Sequence, residues 1–405
     1  MRRGYFLLIF LICTGSAFAQ PYVLTKDDRQ IIENFQVLPD RNYSFEKIIS
    51  DSSLLFTTNP LLYNFKENKA YWVRFTIENP FRNTQDYYVS VFPFIDNLFY
   101  YYDKDANKWQ KIRSGLVKSD NTRNYSHFPI TVYNNSKESF YALVSLNALA
   151  KFKDSTHLRL RLYKAAVINA DEQQSRVFWI GTLVIIFILF LYNLYTWFVF
   201  KDRAFLYYLL ILTGSALYLT ALKRHLNLLT SFRWFHVQLT KEGYTFYYDL
   251  ASILTNLAIL LILTGFIQFT RNYLQTKVTL PKYDSILKYG NALFSLIVLL
   301  VTLSGIMVDG YTPVYAHLIM NSFTVVLIFL IIWVGIVSYK RKYLFGKYLL
   351  LANALPLLLV MLVAIYFIIN PVGADKSTPL PNLAVLSLVI TFAVALFARI
   401  NILKQ

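Results

Sequence analysis

Between Tyr71 and Lys164 hydrophobic and polar residues alternate in short runs. In "YWVRFTIEN", Tyr71, Val73, Phe75 and Ile77 fall on one side of an extended chain, and Trp72, Arg74, Thr76 and Glu78 on the other. That is the period of a half-buried strand. The same period returns in "DYYVSVF", "NLFYYYD", "HFPITVY", "SFYALVSLN" and "HLRLRLYK", separated by turn-rich pieces such as "NPFRNTQ" and "NNSKES". Short strands at this spacing predict an all-β sandwich of jelly-roll type over residues 20–165. Roughly 145 residues are enough chain to bury a core.

After Arg176 the pattern changes to long apolar runs. Seven are long enough to cross a bilayer, near residues 177–200, 204–222, 248–270, 286–308, 314–338, 344–370 and 382–403. They predict an all-α seven-helix transmembrane domain over 177–403, with 166–176 as a linker and 404–405 as a short tail. At the other end, Arg2 and Arg3 precede "YFLLIFLIC" and an Ala17-Phe18-Ala19 ending, the layout of a cleavable signal peptide over residues 1–19. The mature chain then starts at Gln20. An uncleaved anchor is the alternative, and the run is short for a span.

Composition agrees with this division. The chain is 56% hydrophobic and 16% charged, far from a soluble average. Its one cysteine, Cys13, lies in the signal and follows Ile12 rather than a small residue, which argues against a lipoprotein site. The mature protein therefore has no thiol for disulfides, nucleophiles or metal sites.

The formal charge of +17 raises the question of nucleic acid, and its distribution answers it. Residues 20–176 hold 21 basic and 17 acidic residues, whereas 177–405 hold 17 and 6, so the excess sits between apolar spans. There it faces lipid headgroups and sets topology, so a lipid bilayer and no nucleic acid is the expectation. With the sandwich outside, the inner connections and tail carry twelve basic residues and the outer ones five. This agrees with the positive-inside rule and places the C-terminus in the cytoplasm.

Candidate chemistry is sparse. Inside the spans the amides Asn193, Asn256, Gln268, Asn321 and Asn353 have interhelical hydrogen bonding as a sufficient explanation, and His317 is the one ionisable group in mid-span. No lysine precedes Lys404 in the last span, which removes a retinal site. On the sandwich, Trp72, Tyr88, Tyr101 and Trp109 could stack on sugar rings, with Arg74 beside them, or could simply pack a second face. His127 and His157 have no ligand-spaced neighbours and read as surface or turn residues. The long connection "LKRHLNLLTSFRWFHVQLTKEGYTFYYD" carries Arg224, His225, Arg233, Trp234 and His236 against the charge rule. It could dock the sandwich, bind an anion, or rest on headgroups. No catalytic residue, metal site or cofactor is expected.

Taken together, "YWVRFTIENP" and "PFIDNLFYYY" resemble the type 2 extracellular domain of the bacterial seven-transmembrane receptors with diverse intracellular signalling modules. "FLYNLYTWFVFKDRAFLYYLLILTGSALYL" and "FTRNYLQTKVTLPKYDSILK" resemble the first two spans and second inner loop of the same family. The resemblance implies a jelly-roll ectodomain for carbohydrate-like or other small ligands, joined to a seven-helix transmitter in the bacterial inner membrane. Members usually continue into a kinase, cyclase or regulator module, and "RINILKQ" resembles only the start of that continuation. The expectation is a receptor, not an enzyme, that detects a small extracytoplasmic ligand and signals through a cytoplasmic or membrane protein in trans. A transporter or channel with an accessory β-domain is the alternative.

Overall fold

All six alternating runs are strands in the computed structural model, which describes residues 20–58, 63–64, 69–117, 127–147, 155–230, 232, 234–239, 245–307, 312–341, 344–369 and 380–403. The predicted signal peptide and tail lie outside these residues. The chain divides into two units, the first ending at Ala170 and the second starting at Asp171. Along the first run β1 (Tyr22–Val23), β2 (Arg29–Ile32), β3 (Phe35–Pro39), the helix α1 (Phe45–Ser50), β4 (Thr57–Thr58), β5 (Tyr63–Asn64) and β6 (Ala70–Glu78). They are followed by β7 (Gln85–Phe92), β8 (Asp96–Asp103), β9 (Lys108–Ser114), β10 (His127–Val132), β11 (Lys137–Ser145), β12 (Ser155–Thr156) and β13 (Arg159–Lys164).

Two sheets form the sandwich. One has the order β4-β3-β6-β11-β8-β9, with β1 added parallel to the end of β6, and the other has the order β10-β7-β13-β2. The inward residues of each strand meet between them. Phe99 of β8 stacks on Phe128 of β10 at 4.7 Å across the sheets and lies 5.8 Å from Phe140 of β11. Phe75, Val89, Ile77 and Leu160 complete this buried layer.

The other face of the first sheet is covered as well. Ser44 caps α1, its hydroxyl accepting the Lys47 amide at 3.3 Å. The helix then turns Phe45 and Ile48 down onto Leu38 and Trp72. Phe45 lies flat on Tyr100 at 4.1 Å and meets Trp109 and Tyr141 edge-on at 5.1 and 5.7 Å. Of the two readings of Trp72, sugar stacking and packing of a second face, this second apolar cluster supports the packing. The strand alternates as predicted, but a helix occupies the face that the pattern assigns to solvent.

The second unit contains α2 (Ala165–Phe200, starting in the first), α3 (Arg203–Leu222), α4 (Leu226–Leu229), β14 (Phe235–Leu239), β15 (Thr245–Asp249), α5 (Leu250–Tyr273) and α6 (Thr276–Thr279). It ends with α7 (Pro281–Met307), α8 (Thr312–Lys340), α9 (Leu344–Ile369) and α10 (Leu380–Leu403). Among the described residues, five helices are long and apolar enough to cross a membrane: α2, α3, α5, α7 and α8. The last two contribute the shorter apolar stretches Asn353–Ile369 and Leu380–Thr391. The expected linker 166–176 is itself helical, within α2, and the expected loop after α3 is a β-hairpin.

Six helices close a ring, with α3 against α5, then α7, α8, α9, α10 and back to α3. The contact between α3 and α5 runs through two glycines. A methyl group on Gly214 would fall 2.9 Å from the Ala258 carbonyl oxygen, and one on Gly265 would fall 3.0 Å from that of Tyr207. Small residues let helix backbones approach in this way where lipid supplies no hydrophobic drive. At the end of the ring away from the hairpin, Arg271 of α5 grips Asp284 of α7 through two hydrogen bonds of 2.9 and 3.0 Å, and Thr276 donates to the same carboxylate at 2.6 Å.

Two predictions follow from this packing. Gly214→Leu and Gly265→Leu should each destabilise the helical unit by about 1–3 kcal/mol in a detergent melt, because backbone must move to admit the side chain. Gly181→Leu, with open space around it, should leave the melt unchanged. The second prediction concerns His127, which is a strand residue and not a surface turn. Its ring lies between Tyr88 and Tyr163 at 5.8 and 5.3 Å, and its Nδ1 has no hydrogen-bond partner among the described residues. Burial lowers its pKa to about 4. The unfolded chain, with an ordinary histidine near 6.5, then binds the extra proton first. Stability is full above pH 6.5 and is lost as pH falls towards 4, by up to about 3 kcal/mol. Urea unfolding of the N-terminal unit should show that loss, and His127→Phe should flatten it.

Candidate functional site

The ring of helices lines a partly open cavity of about 300 Å³. Each wall is a helix face read at a spacing of three or four residues. From α5 come Ser252, Thr255, Asn256, Ile259, Ile262 and Leu263, polar towards the hairpin and apolar further in. From α8 come His317, Asn321 and Thr324, from α9 Val360, Val363, Ala364 and Phe367, and from α10 Pro381, Ala384, Val385 and Leu388. The cavity therefore has a polar end beside the hairpin and an apolar end about two to three helical turns deeper, roughly 10–16 Å along the axes.

One carboxylate organises the polar end. Asp249, the last residue of β15, caps α5, with its Oδ1 accepting from the Ser252 amide at 2.9 Å and the Ser252 hydroxyl at 2.8 Å. Its Oδ2 lies 3.3 Å from Arg224 Nη1. Arg224 follows the end of α3 with φ of 59°, the left-handed turn that normally takes glycine and costs another residue roughly 1 kcal/mol. The ion pair with Asp249 holds the arginine there. Next to it, Tyr248 accepts a hydrogen bond from the Asn256 amide at 3.0 Å, and Asn256 also reaches Thr302 of α7 at 3.1 Å. The Tyr248 ring fits against α7 because residue 305 is glycine, where a methyl group would stand 2.6 Å from the ring.

The residues singled out in the connection after α3 divide between two tasks. Arg224 lines the cavity, and Trp234 meets Tyr248 edge-on at 6.5 Å. His236 faces Tyr248 across the hairpin register. His225 is 1% exposed and belongs to the contact with α2, stacked on Trp179 at 4.6 Å with Ser175 at 3.3 Å. Arg233 lies outside the described residues. The sequence reading missed Tyr248 and the convergence of Asn256, His317 and Asn321. Their spacing was visible, but which faces meet depends on the ring.

On the sandwich the candidates do not share a face. Trp72 is 1% exposed, and its indole donates to Asp40 Oδ1 at 3.0 Å. Arg74 donates through Nε and Nη2 to the side-chain Oε1 of Gln36 at 3.2 and 2.6 Å and covers the Phe56 ring. Tyr88 points outward from the second sheet, where its hydroxyl donates to Asn169 at 3.1 Å. Tyr101 is half-buried on the core-facing side of β8, two residues beyond Phe99. At the edge of the first sheet Tyr102 is exposed, and its ring meets the half-buried Trp109 at 5.6 Å.

Residues 175–399, more than half of the chain, match the family described as 7TM diverse intracellular signalling. Residues 32–152 match the family described as 7TMR-DISM extracellular 2. No curated protein matches the chain.

The burial of Trp72 has a measurable consequence. Trp72→Ala should destabilise the N-terminal unit by about 3–5 kcal/mol in a urea titration, the cost of emptying a packed aromatic site. A stability change below about 1 kcal/mol would mean that Trp72 is not part of this second core.

Proposed function

This chain belongs to the 7TM diverse intracellular signalling family, and from that premise we propose that it is a receptor of the bacterial inner membrane. Its β-sandwich detects a small extracytoplasmic ligand, with carbohydrate as the leading class, and its helices carry the change to the inner side. The observation that carries this reading is the union in one chain of an extracellular-type module over 32–152 and a seven-helix signalling module over 175–399. Orientation is supported by the twelve-to-five excess of basic residues on the connections assigned to the cytoplasm. The N-terminal unit then lies outside and the C-terminus inside.

For the ligand, exposed Tyr102 with the half-buried Trp109 beside it replaces Trp72 as the favoured stacking surface, with Arg74, Tyr88 and Tyr101 as separate candidates. For the output, the inner connections offer basic surface braced by the Arg271–Asp284 grip and by Arg341, which donates to the Thr279 carbonyl at 3.2 Å. A cytoplasmic or membrane signalling protein would read movement of these segments, and the chain itself performs no catalytic step. Such a signal requires that the ligand favour one of two arrangements of the helices.

Hydrogen exchange on the full chain in liposomes tests the reading. A panel of oligosaccharides should contain one that slows exchange in the N-terminal unit and shifts exchange in the segment 271–288, with no solute flux. Ligand-driven flux of a solute by the protein alone would instead establish the transporter alternative.

A further inference from the structure

The amides of the helical unit differ in their partners, and the Oδ1 atoms of Asn193 and Asn353 are buried with no hydrogen-bond partner among the described residues. Asn193 and Asn353 donate to carbonyls of their own helices, at 2.7 Å to Leu189 and 2.8 Å to Leu349. Asn256 bridges to Tyr248 and Thr302, and Gln268 accepts from Arg271 at 2.9 Å. Asn321 is different. Half-buried, its side chain makes no hydrogen bond among the described residues and lines the cavity one turn beyond His317. An amide in an apolar span without a partner costs on the order of 1–3 kcal/mol unless something polar occupies the space in front of it.

The lining also states what that occupant is like. Its two fully charged side chains, Arg224 and Asp249, are paired with each other, and the second Asp249 oxygen is engaged by Ser252. A charged guest would lose its hydration and gain no opposite charge in return. The deeper walls, formed by Ile259, Ile262, Leu263, Val360 and Leu388, would hold an aliphatic body and leave water poorly bonded. A volume of about 300 Å³ takes about ten non-hydrogen atoms at roughly 30 Å³ each.

We propose that this cavity is a binding site for an uncharged amphipathic small molecule of about ten carbon atoms, its polar head at Asn321 and His317 and its aliphatic body against Ile262 and Leu388. It is a second ligand site, independent of whatever the sandwich detects. Because α5, α8, α9 and α10 all contribute walls, an occupant braces both sides of the ring at once.

The test uses the full chain in phosphatidylcholine nanodiscs and a ten-carbon alcohol carrying a mid-chain diazirine. Photolysis should label the cavity faces of α9 and α10, between Val360 and Phe367 and between Pro381 and Leu388. Unlabelled 1-decanol should compete at least tenfold better than decanoate or decyltrimethylammonium. Leu388→Trp, which fills the deep end, should abolish the labelling. Asn321→Leu, which keeps the volume, should retain labelling but lose about tenfold in competition by 1-decanol. Labels confined to the exposed apolar face of α2 at Val184, Phe187 and Leu191 would overturn the proposal, as would equal competition by the charged amphiphiles. Unchanged competition in Asn321→Leu would overturn the placement of the head, whether or not Leu388→Trp folds.

Discussion

The close approach of α3 and α5 at Gly214 and Gly265 is the constraint from which the helical unit takes its form. With backbone oxygens about 3 Å from where a methyl group would sit, the two helices have no room to slide or rotate independently. That contact presents the Ser252–Leu263 face of α5 to the interior. It also brings the end of α3 to the start of α5, where Arg224 meets Asp249. In water such a pairing would be driven by buried apolar area, whereas in lipid it depends on shape, which is why two missing side chains matter more than any added one.

Asp249 then joins three levels of structure in one residue. Its position at the end of β15 is set by the hairpin, its Oδ1 starts α5, and its Oδ2 holds an arginine in a backbone conformation that arginine disfavours. A movement of the hairpin therefore cannot leave the helices untouched, because the cap and the ion pair share one carboxylate. Tyr248, immediately before it, extends the coupling to α7 through Gly305 and to α5 through Asn256.

Much of this was legible in the sequence, and the remainder has a physical reason for being hidden. The six alternating runs and the long apolar segments are local signals, and they gave elements close to their final bounds except at the first span, whose helix starts at Ala165 rather than near 177. Strands β2 and β3 and the helix α1 escaped because they are only four to six residues long, too short for a period to stand out. Without α1 the role of Trp72 stayed open between stacking and packing, since alternation says which residues share a face but not what covers that face. Ser44 with Phe45 and Ile48 in "SFEKIIS" was the available signal, a cap followed by two apolar positions three apart. The family strings located both modules correctly, because order along the chain is a stronger constraint than any single motif.

The amides show where local reading necessarily ends. Asn193, Asn256, Asn321 and Asn353 look alike in sequence, each a polar residue within an apolar run. Two donate within a single turn of their own helix and leave Oδ1 unpaired, one bridges three elements, and one, half-buried, faces the cavity. Only the arrangement of the ring separates them. What sets Asn321 apart is its place on the cavity wall, where an unpaired amide can meet a guest, even though its residue type and spacing distinguish it from none of the others.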